Sequence, residues 1–182
     1  MVCAGIAFAI ALAGLSSCGA GEPRSAVSAA EFKVLAGAPG PLGSLYRKPG
    51  QLLAGGPAAF KRQIAGLKGH PAVVNKWASW CGPCRQEFPF FQKQALKRGR
   101  QIAFLGVDGN DAKDSARAFL KKLPVPYPSF FDSNGRIAAV FRGDRVFPTT
   151  AFYDSKGELV YTKQGPYVSE VALEKDILRW AS

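Results

Sequence analysis

The pentapeptide Trp80-Cys81-Gly82-Pro83-Cys84 constrains this 182-residue chain more than any other stretch. Two cysteines two residues apart can close a small disulfide and open it again, or supply half of a metal site. Pro83 has no N–H and a φ suited to the first turn of a helix, and Gly82 lets the chain enter that turn tightly. With a helix starting here, Cys81 sits at its N-terminus. Unpaired N–H groups and the positive end of the dipole stabilise a thiolate there. The residues on either side agree. Val73, Val74 and Trp77 predict a largely buried strand before the motif. Phe88, Phe91 and Ala95 predict a helix with one apolar face after it, kinked at Pro89 inside it.

A C-x-x-C at a strand-to-helix junction reads as a redox site. The competing readings lack residues. A structural zinc site needs four ligands, and the chain has one histidine, His70, and no second C-x-x-C. Haem attachment needs histidine directly after the second cysteine, where Arg85 stands. A permanent structural bridge seldom spans two residues, because so short a loop closes with strain.

The N-terminus points outside the cytoplasm. No charged residue occurs from Met1 to Gly21. Ile6 to Leu15 is apolar but short for a spanning helix, and Leu15-Ser16-Ser17-Cys18 resembles a bacterial lipobox. The expected organisation is a signal peptide over 1–17, a lipid-anchored tether over 18–36 beginning at lipidated Cys18, and one globular domain over 37–182. An ordinary signal peptide cut nearby and an uncleaved anchor are the alternatives. No Lys or Arg precedes the apolar run, which leaves room for a start further upstream. With Cys3 removed and Cys18 lipidated, Cys81 and Cys84 are the remaining thiols. A lone pair outside the cytoplasm suits a catalyst of exchange. The net charge of +11 is spread as doublets such as Lys61-Arg62 and Lys121-Lys122. That favours a solvated basic surface, with attraction to an acidic membrane surface or an acidic partner as the alternative and nucleic acid disfavoured.

Further along, Pro57 opens a helix with Phe60, Ile64 and Leu67 on one face. Residues 101–107 predict a second buried strand. Asp111 or a neighbour caps a helix to about Leu123. Pro124, Pro126 and Pro128 enforce an extended segment. Asp132 to Gly135 is a turn, and Ile137, Val140 and Phe141 predict a short helix. Residues 149–153 and 158–163 read as a hairpin. Ser169 caps a final helix to about Trp180. The order gives an α/β fold with a mixed sheet.

From about residue 37 onward the chain resembles the TlpA/ResA-like branch of the thioredoxin superfamily. The matching stretches are Val73 to Pro89 and Phe147 to Asp154, with Gly157 after. The resemblance implies a thioredoxin-like fold, a mixed central sheet flanked by helices, and the branch's insert between Asp108 and Phe147. It implies an envelope thiol-disulfide oxidoreductase whose working group is the Cys81–Cys84 disulfide, with no other cofactor and no metal. Cys81 would attack and Cys84 resolve. Trp80 would shield the site, Pro148 would be a cis-proline facing the cysteines, and Phe147, Pro148 and Thr149 would line the substrate side. Glu87 matches a glutamate that ResA-like proteins carry three residues after the second cysteine, where it tunes the thiol pKa values or assists proton transfer to or from Cys84; its alternative is an exposed helix residue. Two departures stand out. Asn75 replaces thioredoxin's buried aspartate, and Lys76 replaces an aromatic, so it needs a charge partner or must snorkel outward, by pairing with an acidic residue near the site or lying at the sheet end.

The implied activity is reduction of protein disulfides, including those of apocytochrome c, with electrons from a membrane donor protein. Gly82-Pro83 leans the same way. The alternatives are a disulfide-forming oxidant of secreted proteins and a metal chaperone on the same fold. The absence of any histidine after Cys84 weakens the chaperone, and Ala78 stands where peroxiredoxins keep threonine.

Overall fold

The computed structural model describes residues 29–181 together with Met1. The expected signal peptide and the lipidation site Cys18 lie outside these residues. The elements run α1 (Ala29–Ala36), α2 (Gly40–Tyr46), β1 (Leu52–Leu53), α3 (Gly56–Ala65), β2 (Ala72–Trp77), α4 (Gly82–Arg98), β3 (Ala103–Gly109), α5 (Lys113–Lys122), β4 (Ser129–Asp132), α6 (Arg136–Val140), β5 (Thr149–Tyr153), β6 (Leu159–Gln164) and α7 (Glu170–Trp180).

The strands form one six-stranded sheet ordered β1-β4-β3-β2-β5-β6. The β1–β4, β4–β3 and β3–β2 pairings are parallel, and the β2–β5 and β5–β6 pairings antiparallel. The parallel pairs need crossovers, which α4 and α5 supply. The β5–β6 pair needs only the turn at Asp154 to Gly157. There Asp154 accepts from Lys156 N and Glu158 N, and Gly157 takes a positive φ of 81°. The segment between β3 and β5 holds α5, β4 and α6, so the insert widens the sheet.

All six residues of central β2 are buried, which explains its continuous apolar run. Its side chains alternate between two faces. Asn75 reaches Glu87 of α4, and the Trp77 ring lies 5.3 Å from Phe88 of α4. Lys76 points the other way. On that other face Phe60 of α3 meets Phe130 of β4, Phe141 and Tyr153 of β5, at 5.6, 5.8 and 6.4 Å between ring centroids. Surface ion pairs Lys93–Glu170 and Lys97–Glu174 tie α7 to α4.

Two details differ from the sequence reading. Residues 29–36, read as tether, form α1, and Leu35 is buried in the core. Tyr46 of α2 then donates to Ile102 O and accepts from Phe104 N, so the chain before β1 is fastened to the base of β3. Asp111 does not cap α5. Ala112 takes the N-cap position with no side-chain bond, and Asp111 is spent elsewhere. Pro89 lies inside α4 as expected, and its missing N–H leaves the Arg85 carbonyl without its helical donor.

Candidate functional site

The end of β2 and the start of α4 bring the cysteines together. Cys81 is the N-cap of α4 and Pro83 sits in its first turn. The sulfurs of Cys81 and Cys84 are bonded at 2.01 Å. Cys81 Sγ also accepts from Cys84 N at 3.2 Å. A thiolate at Cys81 would therefore face the open N-terminus of a 17-residue helix, with backbone donors and the positive dipole end directed at it. Cys81 is 4% exposed and Cys84 0%, so Cys81 is the residue that reaches the surface.

Glu87 lies one turn beyond Cys84 on the same side of α4. It is fully buried, not an exposed helix residue. Asn75 Nδ2 donates to its Oε1 at 2.8 Å, and Tyr167 N donates to its Oε2 at 2.9 Å. Burial pushes the carboxyl up to about 7, while the Tyr167 and Asn75 hydrogen bonds and Lys163 pull it down. Burial disfavours the charged form and the donors favour it. The result is a carboxyl poised to change protonation near neutral pH, beside the deeper cysteine. Asn75 Oδ1 has no partner among the described residues. An amide flip would turn that oxygen toward a protonated Glu87, so Asn75 can serve both states.

The loop before β5 comes up beside Trp80, the residue before Cys81. The Phe147–Pro148 bond is cis. Trp80 is 58% exposed, and its ring lies 4.9 Å from that of Phe147. Trp80 Nε1 donates to Asn110 O at 3.0 Å. Ser79 beside it donates from N to Asp111 Oδ2 and from Oγ to Asp111 Oδ1, at 2.6 and 3.0 Å. The loop after β3 therefore holds the Ser79-Trp80 corner. Among the described residues nothing hydrogen-bonds the backbone amide or carbonyl of Phe147. Pro148 is buried, and its carbonyl accepts from Gly165 N. Thr149 is expected on the substrate side but is fully buried. Its hydroxyl donates to Val146 O, so its side chain fixes the loop instead of facing outward.

Lys76 stands one residue from the end of β2, but it does not snorkel outward and forms no ion pair among the described residues. It is fully buried in the central strand. Its ammonium is met by the carbonyls of Gly143, Asp144 and Val146 and by the face of Phe147, 3.5 Å from the ring centroid. Burial pulls its pKa down to about 8, while Asp144 and Asp132 hold it up.

The loop between β6 and α7 carries no motif that marks it in the sequence. Gly165 N bonds Pro148 O and Tyr167 N bonds Glu87, so this loop bridges the cis-proline loop and the cysteine helix. Among the described residues, no cluster of three or more His, Cys, Asp or Glu side chains is placed to hold a metal ion.

Comparison with known proteins shows the family and the fold. The family model described as Redoxin matches residues 36–177. The thiol:disulfide interchange protein CycY of Rhizobium leguminosarum bv. viciae is 35% identical over 117 residues, covering 60% of this chain and 61% of that protein. The thiol-disulfide oxidoreductase ResA of Oceanobacillus iheyensis is 28% identical over 106 residues, covering 57% of this chain and 54% of that one. The chain thus spans about three fifths or less of the length of these curated relatives. Among solved structures, MTB dsbF in its mixed oxidized and reduced forms superposes with a TM-score of 0.57 at 31% identity, covering 62% of this chain and 82% of that one. The fold is thioredoxin-like.

Proposed function

Because the chain belongs to the redoxin family, we propose that it is an extracytoplasmic thiol-disulfide oxidoreductase that reduces protein disulfides through Cys81 and Cys84. The observation that carries this is the Cys81–Cys84 disulfide at the N-terminus of α4. The thiolate of reduced Cys81 attacks one sulfur of a substrate disulfide. A mixed disulfide forms, and the departing substrate sulfur takes up a proton. Cys84 then gives its proton to Glu87 and attacks Cys81 Sγ. The Cys81–Cys84 bond forms and the second substrate sulfur leaves. Two electrons have passed from the dithiol to the substrate, and a membrane dithiol protein restores them. The substrate chain lies extended along Phe147, whose backbone groups receive it. Apocytochrome c before haem attachment is the substrate to try first.

The direction of electron flow is a matter of potential. Thioredoxin lies near −270 mV and the strong oxidant DsbA near −120 mV, a gap of about 7 kcal/mol for two electrons. A glutathione titration of this protein is expected to give a value below about −200 mV, and one above about −150 mV would overturn the reductase reading.

We place the protein at the outer face of the membrane, anchored by lipid on Cys18. The support is the Leu15-Ser16-Ser17-Cys18 sequence. No helix among the described residues is long and apolar enough to cross a membrane. Mass spectrometry of the mature N-terminus is expected to find Cys18 first and diacylated. An unmodified terminus elsewhere would refute the anchor.

A further inference from the structure

The geometry points to Lys76 as a positioning residue for protein substrates: its ammonium fixes the 143–147 loop, and with it the face Phe147 presents beside the cysteines. This rests on the thiol-disulfide reading above. Lys76 belongs to the rigid central strand, whereas residues 143–147 have no regular structure of their own. The three carbonyls it binds, those of Gly143, Asp144 and Val146, match the three protons of an ammonium. No ion pair to Lys76 occurs among the described residues; the carbonyls hold the buried charge directly, and the Asp144 and Asp132 carboxylates favour it from farther away. The fourth contact is the Phe147 ring, 3.5 Å away at its centroid, an attraction that strengthens away from water.

Gly109 at the end of β3 makes room for this arrangement. A Cβ there would come 3.1 Å from Phe147 Cζ and 3.2 Å from Lys76 Cε. Phe147 in turn leans on Trp80, the residue before Cys81. A continuous series of contacts therefore runs from the centre of the sheet through Lys76 and Phe147 to the rim of the disulfide. An extended polypeptide must lie against that rim, whereas a small disulfide needs only the Cys81 sulfur. Lys76 thus governs reaction with protein substrates and is silent toward small ones.

Lys76→Met keeps most of the stem and removes the ammonium, leaving three carbonyls and the ring unheld. NMR order parameters of the 144–147 amides are expected to fall from about 0.85 toward 0.6 or lower. The reduced variant should react with insulin disulfides about tenfold or more slowly, the scale of loss from a small misplacement of a binding surface. Its rate with glutathione disulfide should match wild type. Gly109→Ala, which keeps the ammonium but crowds both side chains, should show the same selective loss in weaker form, and decides the matter if Lys76→Met fails to fold. Unchanged order parameters, or equal losses on both disulfides, would overturn the role of Lys76. A wild-type protein inert toward both disulfides would instead overturn the oxidoreductase reading, and the order parameters would still test the loop.

Discussion

Cys84→Ser is expected to accumulate a covalent adduct with a protein disulfide, and Cys81→Ser to form none and lose all exchange above background. The asymmetry follows from position. Both sulfurs sit at the start of α4, but Cys81 occupies the N-cap and accepts the Cys84 N–H. Its thiolate therefore gains from the unpaired amides and dipole of the helix end. Cys84 lies inside the first turn and is fully buried, so an incoming disulfide meets Cys81 first. Once the mixed disulfide forms, its intramolecular exit is attack by Cys84 on Cys81 Sγ, a geometry already realised in the bonded pair. Removing Cys84 closes that exit. The adduct should be stable on a non-reducing gel and released by dithiothreitol. Peptide mass mapping must place it on Cys81, since Cys3 and Cys18 are also present in the chain. An adduct on Cys84 in the Cys81→Ser variant would reverse the two roles and sink this assignment.

What was legible in the sequence was local. Val73, Val74 and Trp77 announce β2 by composition, Pro83 announces the first turn of α4, and Ser169 announces α7, where its hydroxyl accepts from Ala172 N at 3.2 Å. Each of these signals acts within a few residues. What escaped was set by contacts across the chain. The family resemblance marks the role of Glu87 but not its burial; by helical pattern alone Glu87 is one more charged residue of an amphipathic helix. It is buried because Tyr167, 80 residues later, lays its amide on the carboxylate. Lys76 finds its carbonyls 67 to 70 residues away, and no periodicity announces a backbone loop as the partner of an ammonium. Asp111 resembles a helix cap because Asp favours that position, but Ser79 offers it two donors. The two-residue strand β1 is too short to leave a pattern, and α1 is hidden in a stretch whose small residues suggest a tether. Local signals thus locate the reacting atoms, and the long-range contacts decide which groups can act on them.

Glu87→Gln is expected to slow resolution of the mixed disulfide by about 10²-fold or more, the usual contribution of a positioned general base. Glu87 sits one turn from Cys84, and burial lifts its carboxyl from 4.5 to about 7. In the wild type, the resolution rate should therefore carry an inflection near pH 7 that the variant lacks. Persistence of that inflection in Glu87→Gln would remove Glu87 from the mechanism. Stability gives a second readout with a definite sign. A carboxyl whose folded pKa lies above its unfolded value binds its proton more tightly when folded. Its contribution is then fully present below about pH 4.5 and is lost as pH rises through about 7. At 1.36 kcal/mol per unit, the window is worth roughly 3 kcal/mol. The variant's glutamine does not titrate, and its amide can pair with Asn75 Oδ1 while its oxygen accepts from Tyr167 N. Urea unfolding of the oxidised proteins should therefore show the variant gaining on wild type as pH rises from 4.5 to 8. A difference that stays flat across this range would mean that Glu87 titrates normally, and that the buried carboxyl is not the proton acceptor for Cys84.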